Sequence, residues 1–410
     1  RADASADRPV FRETVVLRAT LSINLLSRGA QMIYLDHNAT TPLDPRVLEA
    51  MMAFLKDRFG NAASRHHALG CDAATAVETA RQQVAQVIGA DPREIIWTSG
   101  ATESDNLALQ GVMRSSAYRK RHIVTVATEH RAVLDTCEIL EAQGVHVTYL
   151  GVGADGRLDL DQLVDAITDQ TLLVSIMHAN NETGVMHPIA RIGSLCKERG
   201  VLFHTDATQS FTKVPIDVQE MGIDLLSASA HKINGPKGVG LLYVRRKEPR
   251  VRCEALIHGG GHERRMRSGT LNVPGIVGMG VAATLPSDDG VGVLRDRLES
   301  SLVCGLDGVE VNGHRTERLA NTTSLSFRDV DGTQLMKRLP EVAVSSSSAC
   351  TSALLQPSYV LGAMGLPEAR LRGSVRFSLG RGNTAAEIDA AAAGVIEAVQ
   401  SLRASAVAQE

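Results

Sequence analysis

Aromatic side chains are scarce in this sequence: 3% of 410 residues, with one tryptophan. Proteins that hold single nucleic-acid strands stack bases on aromatic rings, so that class has little to work with here. An excess of one charge is also missing, since 43 lysines and arginines stand against 46 aspartates and glutamates, a net charge of −3. No broad basic field points to nucleic acid. No apolar run reaches the about 18 residues that a membrane-spanning helix needs. The six cysteines (71, 137, 196, 253, 304 and 350) are scattered without a C-x-x-C pair. At this length that argues against a disulfide framework and against a structural zinc site, and for reduced thiols in a cytosolic type of protein. What remains is an ordinary globular composition, 44% hydrophobic and 22% charged, in a chain long enough for two to three domains.

Residues 1–31 read differently from the rest. They hold five arginines together with Asp3, Asp7 and Glu13, and the apolar stretch from Leu17 to Leu26 is broken by Arg18, Ser22 and Asn24. The breaks make a poor secretory core, and the acids are wrong for a transit peptide. Met32 is expected to be the functional start, with residues 1–31 an extension that is disordered or foreign to the functional chain.

From about residue 45 to 285, strand-like and helix-like segments alternate. The strand candidates are Glu94–Thr98, His122–Ala127, His146–Leu150, Leu172–Met177, Val201–Thr205, Leu225–Ser229 and Gly240–Val244. Several are continuous apolar runs, as in strands covered on both faces. Helical patterns lie between them: Arg46–Phe54, Cys71–Ile88, Glu103–Arg114, Ala132–Ala142, Leu160–Ala166 and Pro188–Arg199. Asp159 or Asp161 fits a helix N-cap. The alternation predicts an α/β fold, a mostly parallel sheet with helices on both faces and ligand chemistry at the carboxyl ends of its strands. A breaker cluster at 286–292 precedes a change of pattern: a helix at Leu294–Leu302, strands near Val309 and at Asn321–Phe327, and a closing helix, Ala385–Arg403. This reads as a smaller α+β domain.

Two motifs are decoys. Gly151–Gly156 matches G-x-G-x-x-G, but a dinucleotide site needs a helix opening inside the motif and an acid ending the next strand, which here ends Ile176-Met177-His178. His258 and His262 have zinc spacing only on a helix, and the three glycines between them disfavour one by about 1 kcal/mol each.

Four features sit at predicted strand ends or in a loop. Thr98–Glu103 runs from a strand into a helix through small and hydroxyl residues, which makes either an anion site or an ordinary N-cap. Asp206 ends a buried strand and must be paired, with a protonated pyridine nitrogen or in a structural salt bridge. Lys232 lies just past a buried strand, where burial and nearby cations lower a lysine pKa enough for Schiff-base chemistry. Lys237, past the Gly235-Pro236 turn, reads as solvated. Cys350 stands in a run of small polar residues, Ser345–Ser352, as an exposed nucleophile or an incidental surface thiol. A lysine for an aldehyde, an acid for a ring nitrogen and a phosphate cup together specify pyridoxal 5′-phosphate (PLP).

At these residues the chain resembles the group I cysteine desulfurases, the IscS/NifS family within the class-V aminotransferase-like PLP enzymes. The resemblance runs from about Tyr34 to the C-terminal helix. It rests on Tyr-Leu-Asp-His-Asn-Ala-Thr-Thr-Pro (34–42), Thr-Ser-Gly-Ala-Thr-Glu-Ser-Asp-Asn (98–106), Thr-Glu-His130, Asn-Asn-Glu-Thr-Gly (180–184), His-Thr-Asp206-Ala-Thr-Gln209, His231-Lys232, Arg-Ser-Gly-Thr270, Ser-Ala-Cys350-Thr-Ser and Val-Arg376-Phe-Ser. It implies the fold-type I PLP-dependent transferase architecture, with a seven-stranded, mostly parallel sheet. The implied layout is a segment 32–46 packed on the small domain, a large PLP-binding domain 47–290, and a small domain 291–410 that carries the cysteine loop. It implies an L-cysteine desulfurase working as a homodimer and supplying sulfur to an iron–sulfur scaffold protein or to tRNA thiolation, in the cytoplasm, or in an organelle matrix if residues 1–31 address it there.

The implied roles follow residue by residue. Lys232 holds PLP as a Schiff base and moves the α-proton; Asp206 pairs with the ring nitrogen; His130 stacks on the ring and acts in acid–base steps. Asn181 and Gln209 contact the ring oxygen or the substrate. Ala101, Thr102, Ser229 and His231 hold the phosphate, and Thr270 reaches it from the partner subunit. Asn38 and Asn181 contact the substrate, and Arg376 grips its carboxylate. Cys350 takes the sulfur as a persulfide; no intrinsic metal is implied, though Cys350 could transiently ligate a nascent cluster. The chain departs from the family at Ser347 and Ala230, where glycine is usual, at Ala62, where proline is, and in a shortened 282–295 segment. A selenocysteine lyase, an aminotransferase or another fold-type I PLP enzyme is the alternative within the same chemistry, and a PLP-fold binding module the alternative outside it.

Overall fold

Continuous apolar runs and alternating helical segments give the chain its central sheet. The computed structural model describes residues 32–286, 289–346 and 357–407. A two-residue strand β1 (Ile33–Tyr34) and helices α1 (Pro45–Lys56) and α2 (Ala68–Val87) lead to β2 (Ile95–Thr98). The chain then alternates through α3 (Ala101–Arg114), β3 (His122–Val126), α4 (Arg131–Glu141), β4 (His146–Leu150), α5 (Leu160–Ala166), β5 (Thr171–Ser175), α6 (Ile189–Glu198) and β6 (Leu202–Asp206). Strands β7 (Leu225–Ser229) and β8 (Gly240–Val244) follow. These form a 7-stranded sheet in the order β2-β8-β7-β6-β5-β3-β4. β8 runs antiparallel to both neighbours and every other pair is parallel.

Every residue of β3 and of β5 to β8 is buried, which is why those segments are unbroken apolar or small-residue runs. β4 lies at the edge, and His146 and Tyr149 face solvent there. The predicted strand Leu172–Met177 ends early, at Ser175, because the Met177 N–H turns to Glu129 Oε1 (2.5 Å). Asp159 caps α5 by accepting from the Asp161 N–H. Helix α7 (Val273–Ala283) lies against α1 and α2. A Cβ on Gly280 would stand 2.7 Å from Ala80 Cα, so the helices approach this closely only with glycine there.

The chain continues through α8 (Val291–Gly305), β9 (Val309–Val311), β10 (Thr322–Phe327), α9 (Gly332–Lys337), β11 (Val342–Ala343), β12 (Ser345–Ser346), α10 (Tyr359–Ala363), α11 (Glu368–Arg372), β13 (Ser374–Ser378) and α12 (Ala385–Val407). A 4-stranded antiparallel sheet, β12-β13-β10-β9, packs with α8 and α12 around a second apolar cluster that includes Leu298, Leu325, Phe377 and Val395. Leu35 joins this cluster, and β1 pairs with β11 in parallel, so the start of the described chain is tied to the second sheet. β13 was absent from the predicted strands. Its Val375 and Phe377 fill the second cluster, while Arg376 between them points the other way, toward the first sheet.

Candidate active site

The carboxyl ends of the parallel strands open on a cavity of about 590 Å3. β2 ends at Thr98 and the chain turns through Gly100 into α3. No side chain caps α3, so its first N–H groups are left to another partner. Glu103 folds back instead: its Oε2 accepts from the Ser99 hydroxyl (2.5 Å) and N–H (2.8 Å), and Arg267 Nε donates to its Oε1 (2.9 Å). Burial works to raise the Glu103 pKa, but these hydrogen bonds hold it below its ordinary value. The turn closes on the sheet because β8 starts with glycine; a Cβ on Gly240 would stand 2.6 Å from Gly100 Cα.

After β3, His130 caps α4, and its Nδ1 accepts from the Ala132 N–H (3.1 Å). The neutral ring therefore carries its proton on Nε2. Burial lowers the His130 pKa; the charge of Asp206 opposes the shift and Lys232 adds to it. After β5, Asn180 Oδ1 closes a turn by accepting from the Glu182 and Thr183 N–H groups (2.9 and 3.0 Å). The turn leaves Asn181 Oδ1 buried without a partner.

β6 delivers Asp206, which is buried and accepts from the Thr208 N–H (2.8 Å). Three neutral-leaning groups lie around it. Burial first, and the charge of Asp206 second, push Asp105 and Glu129 well above the carboxylate range. Burial pushes His204 down to about 3, and its ring nitrogens sit 2.8 Å from Ser175 Oγ and 3.0 Å from Ser227 Oγ. Asp206 is thus a buried carboxylate on the cavity wall, a setting that favours a cationic partner. Gln209 donates from Nε2 to the Asn38 carbonyl (3.0 Å), and its Oε1 is buried without a partner.

β7 delivers Ser229, His231 and Lys232. The Lys232 ammonium donates to the main-chain carbonyls of Asn38 and of Ala39. His231 Nδ1 lies 3.1 Å from Thr40 Oγ1, and burial, with Lys232 and Lys237, pushes its pKa down to about 4. From the second sheet, Arg376 donates from Nη2 to Asp36 Oδ1 (2.7 Å) and from Nη1 to the Asn181 carbonyl (2.9 Å); its Nε is buried without a partner.

The structure thus gathers Asn38, Ala101, Thr102, His130, Asn181, Asp206, Gln209, Ser229, His231, Lys232 and Arg376 around one cavity. The Asn38 amide is committed to structure: it donates to Thr322 Oγ1 and the Asn181 carbonyl and accepts from Asn321 Nδ2. Thr270 is exposed and does not line the cavity of its own chain. Cys350 and Ser347 lie outside the described residues. Sequence reasoning gave no role to Met177, Ala179 and Thr208, which also line the cavity. Lys237 is exposed, as read, yet also lines the cavity.

The residues fit PLP. An uncapped helix start suits its phosphate, Asp206 suits a protonated ring nitrogen, and the unpartnered Asn181 Oδ1, Gln209 Oε1 and Thr208 Oγ1 await polar groups. Among the described residues no cluster of three or more His, Cys, Asp or Glu forms a metal site, and no helix is long and apolar enough to cross a membrane.

A parallel sheet that brings a lysine, a buried carboxylate and an open helix start to its carboxyl edge defines a fold-type I PLP enzyme. The chain belongs to the class-V aminotransferase family, whose profile matches residues 33–391. It is 54% identical over 377 residues to the cysteine desulfurase IscS of Anaeromyxobacter sp. (strain Fw109-5), covering 90% of this chain and 93% of that one. It is 53% identical over 365 residues to the cysteine desulfurase IscS of Klebsiella pneumoniae subsp. pneumoniae, covering 87% and 90%. Among solved structures, a NifS-like protein superposes with a TM-score of 0.83 at 38% identity, covering 90% of this chain and all of that one. SspA in complex with cysteine superposes with a TM-score of 0.76 at 39% identity, covering 85% and 98%.

Proposed function

We propose that this chain is a PLP-dependent L-cysteine desulfurase that releases L-alanine and carries the sulfur as a persulfide on Cys350. The observation that carries the reading is the meeting of Lys232, Asp206, His130 and Arg376 on one cavity at the strand ends. Bound PLP supplies an electron sink conjugated with the substrate α-carbon. Lys232 presents its amine to the cofactor aldehyde and moves the α-proton at Nζ; the Asn38 and Ala39 carbonyls aim it. Asp206, a buried carboxylate on the cavity wall, keeps the ring nitrogen protonated. Its Thr208 bond fixes the carboxylate plane. The α4 cap bond made by His130 Nδ1 leaves Nε2–H as the atom available for proton exchange.

Ala101, Thr102, Ser229 and His231 hold the phosphate. Arg376 binds the substrate carboxylate, with Asp36 and the Asn181 carbonyl orienting its guanidinium. Met177 and Ala179 add apolar surface to the cavity lining. The Cys350 thiolate attacks the substrate sulfur: an S–S bond forms, the substrate C–S bond breaks, and its electron pair stays on carbon, which takes a proton to give alanine. L-Cysteine and one thiol become L-alanine and one persulfide.

The working unit is a homodimer. Exposed Leu48, Met52, Leu55 and Phe59 recur along α1 and just beyond it as a stripe suited to a second copy, and exposed Thr270 completes that copy's phosphate site. The persulfide passes to an iron–sulfur scaffold protein or another acceptor, and the bacterial relatives favour a cytoplasmic setting. Incubation with L-cysteine should give alanine and protein persulfide in equal amounts. Turnover of selenocysteine alone would assign a lyase instead.

A further inference from the structure

A second cavity, about 250 Å3, adjoins the first at Lys232, which lines both. One turn serves the two. It runs on from β6, closed by the Phe211 N–H to the Ala207 carbonyl (2.7 Å) and the Lys213 N–H to the Ser210 carbonyl (2.9 Å). Asp206, Thr208 and Gln209 face the first cavity, whereas Thr212 and Lys213 line the second. Thr212 has a φ of 65°, a strained conformation for a β-branched residue.

Lys213 Nζ is buried and has no hydrogen-bond partner. A buried ammonium left unpaired is costly, so it calls for an anion or for loss of its proton. Burial, with the charge of Lys232 second, brings Lys213 down to about 7, so both forms are accessible near neutrality. Arg381 adds a second cation: its Nη2 donates to the Pro286 carbonyl (2.5 Å), and its Nε is buried without a partner. Among the described residues, Asp289 is the acid on this wall, and it is exposed. A divalent cation would meet Lys213, Arg381 and Lys232, and an apolar ligand would leave the Lys213 ammonium unanswered. The volume exceeds the share of several waters at about 30 Å3 each, enough for a tetrahedral oxyanion.

We propose that this second cavity binds a small inorganic oxyanion of the phosphate or sulfate class, held by Lys213 Nζ and Arg381. The site is distinct from the cofactor phosphate cup and does not depend on the sulfur chemistry assigned above. The anion adds negative charge beside Lys232.

The test uses PLP-saturated protein, so that the cofactor cup is filled, and titrates sulfate calorimetrically at constant ionic strength. One saturable site per chain is expected. Lys213→Met should weaken it about ten- to a hundredfold, the loss of one charge-assisted hydrogen bond. Lys213→Arg should retain most of the affinity, and cofactor absorbance should match in all three proteins. Arg381→Gln should also weaken binding, and it serves if Lys213→Met does not fold. In crystals soaked with selenate, the anomalous selenium peak should lie in this cavity. No saturable binding in the wild type, equal binding in the variants, or selenium at the surface only, an adventitious ion only, would overturn the proposal.

Discussion

The two walls of the cofactor cavity are built in different ways. The wall on the large sheet is local: Asp206 and Gln209 come from one turn after β6, and Ser229, His231 and Lys232 from the end of β7. The opposite wall is assembled from the ends of the sequence. The Arg376–Asp36 ion pair and the hydrogen bond from the Asn38 N–H to Ser378 Oγ each join residues 340 positions apart. The lesson is that chemical groups ride on rigid strand ends, while substrate groups depend on long-range closure. Damage to the first wall should appear in kcat with the fold intact. Damage to the second should appear in KM and in stability.

The largest effect is expected at Lys232. Lys232→Ala should lower alanine release at least about a thousandfold, the scale of a lost acid–base group. Its melting temperature should barely move. If the variant still yields a borohydride-reducible lysine adduct with PLP, another lysine holds the cofactor.

Asp206→Ala should lose about 3 kcal/mol of transition-state stabilisation, on the order of a hundredfold in kcat. Cofactor content should fall less, because the phosphate contacts at the start of α3 remain. Full activity would remove Asp206 from the ring nitrogen.

Arg376→Lys tests the second wall. The bidentate grip and the Asp36 bond cannot both survive, so KM for L-cysteine should rise about tenfold or more with a smaller change in kcat. A fall in kcat alone, with KM constant, would erase the contrast between the walls.

The smallest effect at neutral pH concerns buried histidines on and beside the large sheet, outside the cavity lining. Burial pushes His178 and His187 down to about 4 and His204 to about 3. These folded values lie below the ordinary 6.5. The stability they confer is therefore complete above that pH and is lost as pH falls through about 4. The upper bound is about 3 kcal/mol each for His178 and His187 and about 5 kcal/mol for His204. Urea midpoints should hold steady from pH 8 to about 6.5 and fall below it, with proton uptake on unfolding; a flat profile down to pH 4 would contradict the buried neutral rings.

The local wall was legible in the sequence and the assembled wall was not. Asp206, Ser229 and Lys232 ended apolar runs that could only be buried strands, so their place at a carboxyl edge followed from pattern. Arg376 came from resemblance, because its strand is short and mostly polar, begins and ends with serine, and follows a glycine. The alternation of Val375 and Phe377 was a usable signal, yet the Asp36 partner lay far beyond any local window. Lys213 gave no signal at all: its burial arises where the β6 turn meets Arg381 and the start of α8, which only the folded chain brings together. Lys237 shows the converse, an exposed side chain that still lines the site.

The central claim is that sulfur leaves L-cysteine on Cys350. Its most direct test is mass spectrometry of the PLP-loaded protein after one equivalent of L-cysteine, with alanine counted in the same sample. Cys137, Cys196 and Cys253 are poor rivals, since burial pushes each thiol up to about 12. Cys71 and Cys304 are exposed and remain the fair competitors. The expected result is one persulfide per alanine, on the peptide containing Cys350, and almost no alanine from Cys350→Ser. A persulfide on Cys71 or Cys304, or wild-type alanine release by Cys350→Ser, would contradict it.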